Sequence, residues 1–337
     1  MLSSPLYSAA ALACAAGVAC AAPALPKLGA DAHQTSVSGL SSGAFMAAQI
    51  QVAYSASIVG AGIVAGGPYY CAANSMMFTA VCMGQVPFVP PNPVLMANAA
   101  KRFASEQRID PIAHLKDRRI YAFSGRKDTV VRPQAVEATV GFFREVGVKA
   151  ENLAFVNDLH AGHALITASY GNECSANADP YISQCSAEGR GYDQAGAILG
   201  HIYGHLAPPA KQTKGAIIEF NQRDFADNIS GLADTGYLYV PKACRQSTAC
   251  RVHVAIHGCK QSAQSVGEKF YAQTGYNEWA DSNRILVLYP QVNKSLVPFN
   301  PEGCWDWWGY TGPAYAEKGS TQMKAIMRMV GRLAQRP

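Results

Sequence analysis

The segment Gly39-Leu40-Ser41-Ser42-Gly43 limits the possible folds more than any other part of this chain. It fits G-x-S-x-G, a tight strand-to-helix turn. Such a turn holds a serine in a strained conformation, and its flanking glycines avoid clashes. The context agrees: a short β-prone stretch precedes it, and a small-residue run, Ala44–Tyr54, has helical character. The turn therefore predicts an α/β architecture with Ser41 at the end of a strand. A Gly/Ser-rich turn without chemistry is the alternative that the rest of the sequence has to exclude.

A serine hydroxyl is a weak nucleophile at neutral pH and needs a base, normally a histidine oriented by a carboxylate. In hydrolases built on this turn the acid and then the histidine follow the serine, each on a loop after a strand. The apolar run Arg119–Phe123 ends in Ser124-Gly125-Arg126-Lys127-Asp128, which makes Asp128 the candidate acid. The run Asn152–Val156 leads into Asn157-Asp158-Leu159-His160-Ala161-Gly162-His163. His163 follows Ala-Gly, which permits close approach, and is preferred to His160. Asp158 is a weaker rival to Asp128, because so little chain separates it from the histidines. His201 and His205 stand four apart, but without the Glu of HExxH they read as helix surface, not as a metal site.

Other apolar β-rich runs are Ile58–Ala65, Ala216–Phe220, Tyr237–Val240, Val252–Ile256 and Ile285–Tyr289. Helical patterns cover Pro133–Val146, Ser262–Ser282 and Gln322–Leu333. This alternation predicts a mostly parallel sheet with helices on both faces. The run 252–256 enters His257-Gly258-Cys259-Lys260-Gln261, which has the form of an oxyanion loop. The amides of Ser42 and Cys259 are its candidate donors. That loop usually precedes the nucleophile in the chain. Here it comes last, which is the order of a circular permutation joining old termini and opening new ones.

Residues 1–22 carry no charge and run through Ala9–Cys20 to Ala-Ala-Pro, as in a secretory signal peptide, although no Lys or Arg precedes the apolar stretch. The expected organisation is a leader over 1–22 and one catalytic domain over 23–337. Export leads out of the cell or into a periplasm. Eight cysteines then remain: Cys71, Cys82, Cys174, Cys185, Cys244, Cys250, Cys259 and Cys304. An even number in an exported chain suggests disulfides, although eight cysteines leave roughly 105 pairings open. Proximity singles out 71–82, 174–185 and 244–250, which leaves 259–304. With no CxxC and no histidine at ligand spacing beside the cysteines, neither a metal nor a cofactor is expected.

The chain has 337 residues, 15% of them charged and 49% apolar, with a net charge of +5. No Lys/Arg run exceeds two residues. These values exclude a disordered chain and a nucleic-acid binder. Beyond the N-terminus no apolar run reaches the ~18 residues that span a bilayer. A monomer is expected.

Three of the four tryptophans fall in Gly303-Cys304-Trp305-Asp306-Trp307-Trp308-Gly309-Tyr310. Trp305, Trp307 and Tyr310 are the candidate substrate-binding residues, because three tryptophans within four positions cannot all face the core. The chain resembles the one-domain, circularly permuted extracellular poly(3-hydroxybutyrate) depolymerases over about 35–335. The matching stretches are Ser36–Gly43, Ala65–Pro68 with Cys71, Gly125–Thr129, Thr235–Pro241, Ala255–Ser262, Thr274–Ala280 and Gly303–Trp307. The resemblance implies an α/β-hydrolase fold, a Ser41–His163–Asp128 triad, an oxyanion hole from the Ser42 and Cys259 amides, a cleft-lining Trp305, four disulfides and a polyester substrate. An esterase for feruloyl or acetyl groups on polysaccharide would use the same triad. A non-catalytic polymer-binding protein of the same fold is a more distant reading.

Overall fold

The computed structural model describes residues 22–337 except 228 and 246–248, so nearly all of the expected leader lies outside the described residues. The strands in chain order are β1 (Thr35–Leu40), β2 (Ile58–Val64), β3 (Arg119–Phe123), β4 (Leu153–Val156), β5 (Leu165–Thr167), β6 (Asn172–Glu173), β7 (Ile182–Gln184), β8 (Ser186–Ala187), β9 (Arg190–Gly191), β10 (Ala216–Asn221), β11 (Thr235–Val240), β12 (Arg251–Ile256) and β13 (Ile285–Tyr289). Eight of them form the main sheet, in the order β10-β11-β13-β12-β1-β2-β3-β4. From β13 to β4 every pair is parallel, and β10 and β11 add an antiparallel edge. This is the α/β arrangement expected from the alternating pattern.

Successive strands step outward from β1 through β2 and β3 to β4, whereas β12 lies on the other side of β1. The strand order therefore reverses between β1 and β12. Open α/β sheets place their sites outside the carboxyl ends of strands at such a switch point. Ser41 follows β1 there, and His257-Gly258-Cys259 follows β12. The two ends of the described chain also meet. The amides of Leu28 and Ala30 donate to the Leu333 carbonyl at 3.2 and 3.0 Å, and Arg332 Nε donates to Leu25 O at 2.9 Å. Ends that lie side by side are what opening a closed chain at a new point would leave, in keeping with the permuted order.

The central strands are buried on both faces, and so is the whole helix Ser42–Ala53. Two of its interior amides find carbonyl partners: Gln49 Nε2 donates to Asp306 O at 3.0 Å and Gln51 Nε2 to Ile58 O at 3.3 Å. Ser36 and Ser38 of β1 bracket the buried His253 of β12, at 2.7 Å from Nδ1 and 2.8 Å from Nε2. Two glycines permit the turn at Ser41. A Cβ on Gly39 would sit 2.3 Å from the Gly43 carbonyl carbon, and one on Gly43 would sit 2.3 Å from Ile256 O. Neither position has room for a side chain.

Two expectations need correction. The pattern over Ser262–Ser282 is not one helix but three, Ala263–Val266, Lys269–Gln273 and Tyr276–Asn283. Gly267 and Gly275 break it with φ of +63° and +86°. His201 and His205 do not share a helix face, because the helix Gln194–Tyr203 stops at Gly204. His201 Nε2 instead contacts the Asn152 carbonyl at 3.0 Å. All four disulfides, 71–82, 174–185, 244–250 and 259–304, are present.

Candidate active site

Ser41 joins β1 to its helix with φ 56° and ψ −123°, a strained conformation for a residue with a Cβ. Its amide donates to Val64 O at 3.0 Å, which anchors the turn to β2. The side chain lines a cleft of about 340 Å³, together with Ser42, His163 and Cys259.

The acid and base loops come from β3 and β4. Asp128 and His163 are buried, and Asp128 Oδ2 lies 2.8 Å from His163 Nδ1. The other oxygen, Asp128 Oδ1, accepts from the amides of Val130 and Val131, both at 2.9 Å. The carboxylate is thus oriented by its own loop. A proton on His163 Nδ1 points at Asp128, and Nε2 is left on the cleft side. His160 and Asp158, the alternatives, are exposed. The structure therefore brings together Ser41, Asp128, His163, Ser42 and Cys259. Among the described residues, neither the Ser42 amide nor the Cys259 amide donates a hydrogen bond, so both are available to a ligand in the cleft.

The aromatic segment divides differently from the expectation. Trp307 lines the cleft and stacks on Phe45, with ring centroids 4.2 Å apart. Trp305 does not line it. The indole is fully buried behind the oxyanion loop, 5.6 Å from the His257 ring, and the Trp305 amide donates to Ser42 Oγ at 3.3 Å. Tyr310 does not line the cleft either. Its hydroxyl donates to Cys304 O at 2.7 Å and accepts from Asn300 and Gln322, so it props the loop from inside. Asp306 shapes this segment, accepting from the amides of Trp308, Gly309, Tyr310 and Thr311 and from the Thr311 hydroxyl. Burial pushes its carboxyl up while these bonds pull it down.

The Cys259–Cys304 disulfide ties the oxyanion loop to the aromatic segment, with Cα atoms 4.2 Å apart. At the rim, Lys260 and Glu302 form an ion pair at 3.0 Å. The remaining lining is largely apolar: Leu40, Met83, Val130, Val131 and Tyr181. Apolar exposure continues outside the cleft. Met83 follows the Cys71–Cys82 staple, which packs with Phe45 and Trp307. On the same segment Met77 is 87% exposed and Phe88 fully exposed. On the segment after β13, Leu296 and Val297 are 84% and 85% exposed.

Sequence reasoning missed Asn177. Its Oδ1 accepts from His163 N at 2.9 Å and Thr129 N at 3.0 Å, while its Nδ2 donates to Lys127 O at 3.0 Å. One side chain thus clamps the base to the acid loop. Its only local signal was a place between Cys174 and Cys185. Among the described residues no group of histidine, cysteine and acidic side chains has the arrangement of a metal site.

No protein-family model matches the chain. A poly(3-hydroxybutyrate) depolymerase of Delftia acidovorans is 43% identical over 327 residues, and the alignment covers 95% of this chain and 64% of that protein. A polyhydroxybutyrate depolymerase of Talaromyces funiculosus is 39% identical over 328 residues and is covered to 92%, as is this chain. The crystal structure of PHB depolymerase from Penicillium funiculosum superposes with a TM-score of 0.84 at 37% identity, covering 92% of this chain and 98% of that one. A serine-to-alanine variant of a PHB depolymerase complexed with an R3HB trimer gives 0.83 with the same identity and coverage. With this identity over nearly its whole described length, on the same fold, the chain belongs to the poly(3-hydroxybutyrate) depolymerase family.

Proposed function

We propose that this protein is an exported, monomeric serine esterase that cleaves poly(3-hydroxybutyrate) and its oligomers through an acyl-enzyme. The observation that carries the reading is the Asp128–His163 contact at 2.8 Å, opening on the cleft that holds Ser41 at its strained turn. Ser41 Oγ attacks the ester carbonyl carbon, and its proton passes to His163 Nε2. Asp128 keeps the imidazole in the tautomer that can accept that proton and stabilises the imidazolium. The developing oxyanion is held by the Ser42 and Cys259 amides, a pair of donors each worth about 3–4 kcal/mol of barrier. Collapse expels the alcohol end of the chain, which takes the proton from His163. Water then enters by the same route in reverse and releases the carboxylic acid. No step requires a cofactor.

Trp307 and Phe45 form the stacked wall along which the methylated, uncharged chain lies. The exposed Met77, Phe88, Leu296 and Val297 give an insoluble polymer surface something apolar to rest on. The deciding experiment is clearing of a poly(3-hydroxybutyrate) suspension, with chromatography of the released acids. The wild type clears and releases hydroxybutyrate monomers or oligomers, and Ser41→Ala does neither. Clearing by Ser41→Ala would overturn the assignment.

A further inference from the structure

His257 takes no part in the proton transfers, yet it is fully buried directly beneath the oxyanion loop. Its two ring nitrogens have unequal partners. Nε2 lies 3.1 Å from the amide nitrogen of Val292. A backbone amide only donates, so Nε2 accepts and the ring proton sits on Nδ1. Nδ1 lies 2.7 Å from the Gly258 carbonyl oxygen and donates to it. Burial lowers the His257 pKa to about 4, so this neutral tautomer persists across the neutral range.

The Gly258 carbonyl shares one rigid peptide plane with the Cys259 amide, and in a trans peptide the two point in opposite directions. Holding the carbonyl toward the core therefore aims the Cys259 N–H at the cleft that Cys259 lines with Ser41. The surrounding contacts oppose rotation of that plane. Gly258 N donates to Gln261 Oε1 at 2.8 Å, and Gln261 Nε2 reaches Pro180 O at 2.9 Å. Val292, which fixes the imidazole from behind, is itself fully buried. Phe270 and Trp305 flank the ring at 6.1 and 5.6 Å.

We infer that His257 is a positioning residue of the oxyanion site, whose Nδ1–H locks the Gly258–Cys259 peptide in the orientation that presents the Cys259 amide to the transition state. This rests on the proposed Ser41 reading and adds to it the group that preorganises one of the two donors. The lock also transmits polarisation. When the Cys259 N–H donates to an oxyanion, the same peptide's carbonyl becomes a stronger acceptor for His257.

The test compares two variants that each keep one nitrogen's function. In His257→Asn the carboxamide N–H occupies the Nδ1 position and can still donate to Gly258. In His257→Gln the amide sits at the Nε2 position and cannot. On the soluble hydroxybutyrate trimer, His257→Gln is expected to lose at least about 10-fold in kcat with little change in KM, since a whole oxyanion donor is worth about 10²–10³-fold. Affinity for a boronic acid that forms a tetrahedral adduct should fall in parallel, and His257→Asn should stay near wild type in both. Wild-type kcat in the Gln variant, equal loss in both variants, or a change confined to KM would each overturn the inference. Should His257→Gln not fold, the wild-type enzyme gives the answer by NMR. Boronate binding should move the His257 Nδ1–H and Cys259 N–H resonances together, and an unmoved His257 signal refutes the lock. Ser41→Ala in the same assay separates the two claims. An active alanine variant removes the esterase reading, whereas an inert one beside an unaffected Gln variant removes only the role of His257.

Discussion

Replacing Asp128 by Asn exchanges one carboxylate oxygen for NH2 and leaves volume and shape nearly alone, yet the structure dictates a severe outcome. Asp128 Oδ1 accepts from the Val130 and Val131 amides at 2.9 Å. Both are obligate donors, so an asparagine must place its carbonyl oxygen there. Its NH2 group then occupies the position of Oδ2, 2.8 Å from His163 Nδ1. Facing a donor, Nδ1 must accept, and the histidine proton moves to Nε2. That nitrogen can no longer take the proton of Ser41. A wrong-tautomer histidine costs about 10⁴ in kcat, or about 5.5 kcal/mol at 1.36 kcal/mol per decade. Because the loop hydrogen bonds survive, the melting temperature should barely move. The assay is kcat on p-nitrophenyl butyrate beside a thermal melt. An Asp128→Asn enzyme within about tenfold of wild-type kcat and still folded would refute the tautomer argument.

Asn177→Ala leaves the His163 and Thr129 amides without their acceptor. It should cost about 1–3 kcal/mol of stability and lower kcat by about 10-fold or more through a loosened base, read by melting and trimer hydrolysis. His253 and His257 are buried with pKa values lowered to about 3 and about 4. Both stay neutral when folded but take up protons in the unfolded chain below about pH 6.5, so stability falls as pH drops from 6.5 toward 4, by about 1.4 kcal/mol per group per unit. Melting between pH 7.5 and 4.5 should show this decline. A His253→Gln variant with an undiminished slope would contradict it. Met77→Gln with Phe88→Gln should slow clearing of polymer while leaving p-nitrophenyl butyrate turnover unchanged, because these side chains stand on the surface, outside the cleft lining. Equal slowing on both substrates would show that they act through the fold.

The candidate catalytic residues were easier to pick out of the sequence than the local detail around them. Ser41, Asp128 and His163 each follow a strand of the main sheet, Ser41 directly and the other two on the loops after β3 and β4. That junction is written in adjacent residues: an apolar run, then Gly with a polar side chain. The reversal of strand order follows from the position of one motif, His257-Gly258-Cys259, late in the chain. The disulfides followed from spacing for the three short loops and by remainder for the fourth. Trp305 and Trp307 could not be told apart in the same way. Both stand in one glycine-rich stretch, and whether an indole faces the cleft or the core depends on the five bonds Asp306 makes to the turn. Asn177 and the role of His257 escaped for a related reason. Asn177 caps backbone groups of two other segments, and the His257 tautomer is set by the amide of the distant Val292, which no periodicity records. The interruptions at Gly267 and Gly275 were visible as glycines, but helical spacing on either side masked them.

The most direct measurement is trapping of the covalent intermediate. Hydroxybutyrate trimer is mixed with enzyme, quenched in acid within one turnover, digested and analysed by mass spectrometry. The expected result is a hydroxybutyryl ester on Ser41, formed by the wild type, accumulating in variants slowed at deacylation and absent from Ser41→Ala. Turnover of trimer with no acyl group on Ser41, or with one on a different residue, would contradict the proposed mechanism at its centre.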